Sequence, residues 1–201
     1  QPLKKELKEI NYLFSTLEHT KVVMIAGNHD CIREGSYYKA YPWCPQAVML
    51  ESEELERIYL EELDTEVTGF SYHHSEIRQQ RLAEAHRGER GKYQILLAHG
   101  GDEKHVPVDL GALAGEGFDY VALGHIHKPD LMPDRNMAYC GSLEPTDRND
   151  LGVRGFIQGE ITQEGTHFAF VPAAVRSYLA LRVSIQPDTT EGNFFVSWGR
   201  L

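Results

Sequence analysis

Two short clusters set the chemistry open to this chain. Gly124-His125-Ile126-His127 directly follows an apolar, strand-like run at residues 120–123, and Gly27-Asn28-His29-Asp30 repeats that order after residues 22–26. Histidines two residues apart in an extended segment point to opposite faces. In a turn that has just left a strand, both can swing onto neighbouring metal ions. The glycine ahead of each cluster lets the backbone bend sharply. Neutral imidazole and amide oxygen together suit borderline to hard divalent ions. A further apolar run, residues 93–98, ends in His99-Gly100-Gly101-Asp102. Each cluster alone is weak: Gly, Asn and Asp are common turn formers, and a lone His-x-His is a moderate signal. Three of them at successive strand ends point to a metal site, half of a two-metal hydrolase.

The elements that must position these residues can be read from patterning. Leu3, Leu7, Ile10, Phe14 and Leu17 recur at spacings of four and three, the stripe of an amphipathic helix. Residues 22–26 form a short apolar run typical of a strand buried on both faces. Residues 31–47, rich in Tyr, Pro and Trp, read as a short helix and a loop, and residues 75–86 as a helix with Ile77, Leu82 and Ala85 on its weak apolar face. Short strands are expected at 48–50, 58–60, 67–72, 93–98 and 120–123, and a short helix at 110–114. Antiparallel strands follow at 138–140, 156–161 and 167–171, with glycine turns between them. In α/β folds ligands bind beyond the carboxyl ends of strands, so three such ends can converge. The fold class expected is α/β, a two-sheet β-sandwich flanked by helices.

The chain has 201 residues, enough for one good-sized domain, and a net charge of −10. That charge argues against tight nucleic-acid binding by the chain alone, since phosphate neutralisation needs clustered Lys and Arg. Bound cations or a basic partner would relax the argument. No apolar run is long enough to span a bilayer and the first residues build no secretory signal. Cys31, Cys44 and Cys140 show no metal-type pairing and read as cytosolic thiols, so a cytoplasmic protein is expected.

The three clusters resemble the later signature motifs of the calcineurin-like metallophosphoesterases. Residues 118–129, the stretch Tyr139-Cys140-Gly141-Ser142-Leu143-Glu144-Pro145, and Phe170-Val171-Pro172 with Arg176-Ser177-Tyr178 are similar to the SbcD-type DNA repair nucleases. The resemblance implies a four-layer α/β/β/α domain over residues 1–171 and the start of a small capping domain over 172–201. It makes Asn28, His99 and His125 ligands of one metal and His127 a ligand of the other. His29 would assist departure of the leaving oxygen, and Asp30 would orient it; a helix N-cap is the plainer role for Asp30. Two divalent ions, manganese by expectation, would drive exonuclease and endonuclease hydrolysis of DNA phosphodiesters. The implied partners are DNA, an SbcC-type ATPase and a second copy in a homodimer, with no membrane.

The family pattern also has Asp-x-His and Gly-Asp motifs upstream, and no aspartate precedes Gly27. The expectation is an N-terminally incomplete domain, weak in metal binding and inactive alone. Rival functions are a small-molecule phosphatase or phosphodiesterase of the same superfamily, and a non-catalytic scaffold. Other candidates read as structural first: His73-His74, Lys104, His105, Arg148 and Asn149 as solvated loops, Gly141-Ser142 as a turn, and Tyr37, Tyr38 and Trp43 as core packing ahead of base stacking.

Overall fold

The computed structural model describes residues 2–182 together with 184 and 187. Helix α1 (Lys4–Ser15) opens without a Ser, Thr, Asp or Asn cap; instead the Glu6 carboxylate accepts from the Leu3 backbone N–H at 2.7 Å. Of its expected apolar stripe only Leu7 is sealed, at 1% exposure, whereas Leu3 stays 61% exposed. Strand β1 (Val22–Met24) pairs in parallel with β2 (Ala47–Met49). The connection between them holds turns and no helix, in keeping with Pro42 and Pro45, which cannot donate to a helical ladder. Its aromatics pack as structure: Trp43 lies 4.7 Å from Tyr41 and 6.3 Å from Phe14 of α1, ring centre to ring centre.

Six strands make the main sheet: β3 (Glu56–Leu60), β4 (Thr65–Gly69), β5 (Tyr93–His99), β6 (Tyr120–Gly124), β7 (Asp130–Met132) and β8 (Met137–Tyr139). Their order is β3-β4-β5-β6-β8-β7, parallel from β4 through β8 and antiparallel at both edges. Alternation sends Leu96 and Ala98 of β5 and Val121 and Leu123 of β6 into one buried cluster with Phe70, Tyr72, Leu82, Leu113 and Phe118. Helix α2 (Leu110–Ala114), capped by Asp109 accepting from the Gly111 and Ala112 N–H groups, covers that side. The antiparallel hairpin β9 (Gly155–Thr162) and β10 (Gly165–Pro172) meets the sheet through Phe168, 5.2 Å from the Tyr120 ring, and through the Thr166 hydroxyl, which donates to the Asp119 carbonyl.

The mixed α/β class is as expected. Residues 75–86 depart from the expected helix: only a single 3-10 turn forms, at Arg81–Glu84. Ile77 and Leu82 are five positions apart, so a helix would splay them by about 140°. Both must reach the same core, and an irregular segment lets them: Ile77 pairs by backbone with Lys104 and Val106 while Leu82 and Ala85 seal the cluster. The expected start of a capping domain at 172 lies partly outside the described residues.

Candidate metal centre

Parallel pairing begins the assembly of the site. The register of β5 on β6 sets His99 beside Gly124, so His125, one residue on, emerges next to His99, with the two rings 5.2 Å apart. Asn28, buried four residues beyond β1, completes the approach: His99 Nε2 and Asn28 Oδ1 lie 2.9 Å apart. Below, the Tyr72 hydroxyl donates to the His99 carbonyl at 2.8 Å and the Tyr72 ring sits edge-on to the imidazole.

The two motif glycines act differently from the sharp bend expected. Neither has a positive φ; both make room. A Cβ on Gly27 would come 2.7 Å from His99 Cε1, and one on Gly124 would come 3.0 Å from His99 Nδ1. The strained residue is His125 itself, at φ 89°, in the region L side chains rarely adopt. Burial pushes the His99 pKa down to about 4, and the charges of His125, His105, His29 and His127 push the same way. His99 is therefore neutral at physiological pH, the form that ligates metals, and all five histidines share one electrostatic neighbourhood.

The loop after His99 folds back on the site. Gly100 and Gly101 hold φ of 157° and 127°, and the Gly101 N–H donates to the His105 carbonyl at 2.7 Å. A side chain at Gly101 would run into the Tyr139 hydroxyl. This tight return corrects the reading of His105 as a surface-loop residue: its ring lies 4.5 Å from that of His125. Asp102 joins them, accepting from His105 Nδ1 at 2.9 Å and from His125 Nε2 at 2.8 Å. Those bonds, the His105 one foremost, hold the Asp102 carboxyl well below the usual carboxylate range. The donor atoms of Asp102, His105 and His125 lie within 4.8 Å of one another, close enough to hold an ion. With Nε2 of His125 given to Asp102, its Nδ1 is the ring nitrogen left for a metal.

His127, the second histidine of the motif, directs Nδ1 toward Asp150, with Oδ2 at 3.1 Å, and toward the Thr146 hydroxyl at 3.2 Å. Asp102, Asp150 and Thr146 carried no sequence signal beyond a Gly-Gly turn ahead of the first.

His29 is exposed at the tip of its turn. The Asp30 carboxylate closes that turn, accepting from the Gly27 N–H at 2.8 Å and from the Tyr38 hydroxyl at 2.9 Å. No helix follows it, so the N-cap role is not taken. Tyr38 is thus committed to the turn and its pKa is raised, by burial first and then by Asp30. Cys31 is fully buried in the core cluster. His73 bonds the Glu51 carbonyl and His74 the Glu53 carboxylate, at the rim rather than among the five histidines. Arg148 and Asn149 are exposed.

The donor set of one amide, several imidazoles and nearby carboxylates fits divalent cations. Residues 3–129 match the calcineurin-like phosphoesterase family. The chain belongs to that family. Membership in the calcineurin-like phosphoesterases brings hydrolase chemistry on divalent ions, which the gathered donors suit. The chain is 26% identical over 161 residues to YhaO, an uncharacterized metallophosphoesterase of Bacillus subtilis, covering 74% of this chain and 39% of that protein. It is 31% identical over 139 residues to the DNA double-strand break repair protein Mre11 of Methanocaldococcus jannaschii, covering 65% of this chain and 37% of that protein. The chain thus spans under two-fifths of either relative's length. Among the described residues no helix is long and apolar enough to cross a membrane.

Proposed function

We propose that this phosphoesterase hydrolyses DNA phosphodiester bonds as an SbcD-type exonuclease and endonuclease in DNA repair, using two divalent ions with manganese preferred. The observation that carries the reading is the convergence of Asn28 and His99 at 2.9 Å beside His125, in a chain similar to an Mre11 repair protein. Asn28, His99 and His125 would hold one ion and His127 the other. Ions held there supply Lewis-acid polarisation of the phosphoryl group and an activated water. His29, exposed at its turn, gives a proton to the departing sugar oxygen. Asp30 acts on it through the turn it closes. At a net charge of −10 the grip on DNA falls to partners, for which an SbcC-type ATPase and a second copy in a homodimer are the proposed candidates, in the cytoplasm. The four ligands include no carboxylate, so turnover by these residues alone is expected to be slow.

A second reading has its own observation. A cavity of about 570 Å³ opens beside the Asp30–Cys31 turn, lined by Ile32, Arg33, Glu34, His73, His74 and Ser75. It is open and wide enough for a compact phosphate ester, with the Arg33 guanidinium at its wall. The test is manganese-dependent hydrolysis of linear duplex DNA and of a nucleotide monoester by the full-length protein, wild type against His29→Gln. Duplex cleavage that falls about 10²-fold or more in the variant, with manganese still bound, supports the nuclease. Monoester hydrolysis without duplex cleavage moves the assignment to small molecules. Hydrolysis of neither substrate by the wild type, with manganese bound, leaves a scaffold.

A further inference from the structure

His127 is exposed, and its Nδ1 faces three oxygen atoms. Asp150 Oδ2 lies 3.1 Å away, Asp150 Oδ1 3.3 Å and Thr146 Oγ1 3.2 Å. The single hydroxyl proton of Thr146 is committed to Asp150 Oδ2 at 2.7 Å, so Thr146 meets the ring with a lone pair. A bare Nδ1 would set its own lone pair against these oxygens. The ring proton therefore belongs on Nδ1, and Nε2 keeps its lone pair.

Asp150 is itself held from three sides. It is 9% exposed, although residues 146–149 before it are all exposed. Its Oδ2 accepts from the Thr146 backbone N–H at 2.8 Å, and Arg154 stands 3.6 Å from Oδ1. Arg154, almost wholly buried, is anchored in turn by donating to the carbonyls of Leu151 and Val153. The chain thus buries a charged pair at the edge of an open loop, and that pair meets His127.

We propose that Asp150 is a positioning residue of the metal centre, which locks His127 in the Nδ1–H tautomer and so opens Nε2 to an ion. The proposal rests on His127 being a metal ligand. Carboxylates that take the second ring proton of a ligating histidine fix its orientation and raise its basicity, and their loss typically costs 10–100-fold in metal affinity. Thr146 and Arg154 serve by holding Asp150.

The experiment is ¹⁵N NMR of the metal-free full chain at pH 8, with His127 assigned by comparison with His127→Gln. The expected result is a protonated Nδ1 and a bare Nε2; protonation on Nε2 in the wild type overturns the proposal, whatever any variant does. Asp150→Ala is expected to mix the tautomers and to lower manganese affinity about 10–100-fold. Asp150→Asn keeps an oxygen acceptor and is expected to retain the tautomer and more of the affinity. A folded Asp150→Ala chain with the tautomer and the affinity both unchanged overturns the proposal. If His127→Gln binds manganese like the wild type, the ligand reading fails and takes the metal role of Asp150 with it, even with the tautomer as expected. Where Asp150→Ala does not fold, the wild-type tautomer decides.

Discussion

His99 packs between Gly27 and Gly124 with no space for a methyl group on either side. Gly27→Ala should therefore displace the ring or the turn, costing about 1–3 kcal/mol in urea unfolding and most of the manganese affinity. An unchanged affinity would detach His99 from the metal. The same burial gives a pH signature. In the metal-free protein His99 has its pKa lowered from 6.5 to about 4, so between those values the unfolded chain binds the extra proton and the folded chain does not. Stability is full above pH 6.5 and falls as pH drops toward 4, by on the order of 3 kcal/mol at most. In His99→Gln that slope should flatten, which urea titrations across the range will show. Asp150 acts lower down. Burial raises its pKa, but hydrogen bonds from Thr146 and His127 outweigh this and bring it to about 2, so its share is lost only below about pH 4. The candidates Asn28, His99, His125 and His127 stood out in the sequence because each lies at a strand's end or within four residues of it. Asp102 and His105 were not, since their contact with His125 depends on a left-handed Gly-Gly return that residue types only hint at. Asp150 lies twenty-three residues from His127, where no local pattern reaches.

At the scale of elements, β5 does two jobs with alternate residues. Leu96 and Ala98 face the buried cluster, and His99 ends the opposite face at the mouth of the site. Leu96→Ala should then cost about 2–5 kcal/mol, read from the urea midpoint. Because parallel pairing with β6 sets His99 beside Gly124, that loss should also weaken manganese binding without touching a ligand. A variant as stable as the wild type would show that this cluster does not hold the strand. Strands β5 and β6 and helix α2 were legible because period and turn signals agree there. Residues 75–86 were not. Their composition is helical, but the spacing of Ile77 and Leu82 fits no helix face, and the backbone of Ile77 pairs with the return loop at Lys104 and Val106. Tertiary demand overrode propensity in that segment.

Over the whole molecule, the site draws on parts far apart in the chain: the turn after β1, the ends of β5 and β6, and the loop before β9. An ion bound across them ties together segments that otherwise meet through a few hydrogen bonds, so folding and metal binding must be linked. An ion that binds only the folded chain stabilises it by RT ln(1 + [L]/Kd), about 2.7 kcal/mol at a hundred times Kd. For a chain of this size that corresponds to a rise of roughly 5–11 °C in Tm. Manganese should produce that rise by calorimetry, and EDTA should reverse it. Asn28→Ala and His125→Ala should abolish most of the shift, whereas His74→Ala, at the rim on Glu53, should leave it intact. Equal loss in the rim variant would mean that manganese binds generally to an acidic surface, a live alternative at a net charge of −10. High salt separates the two further, because diffuse attraction is screened over about 8–10 Å at ordinary ionic strength. Coordination by neutral imidazoles and an amide is far less sensitive. A manganese shift that persists in high salt and vanishes with Asn28 or His125 therefore assigns the ion to the gathered strand ends.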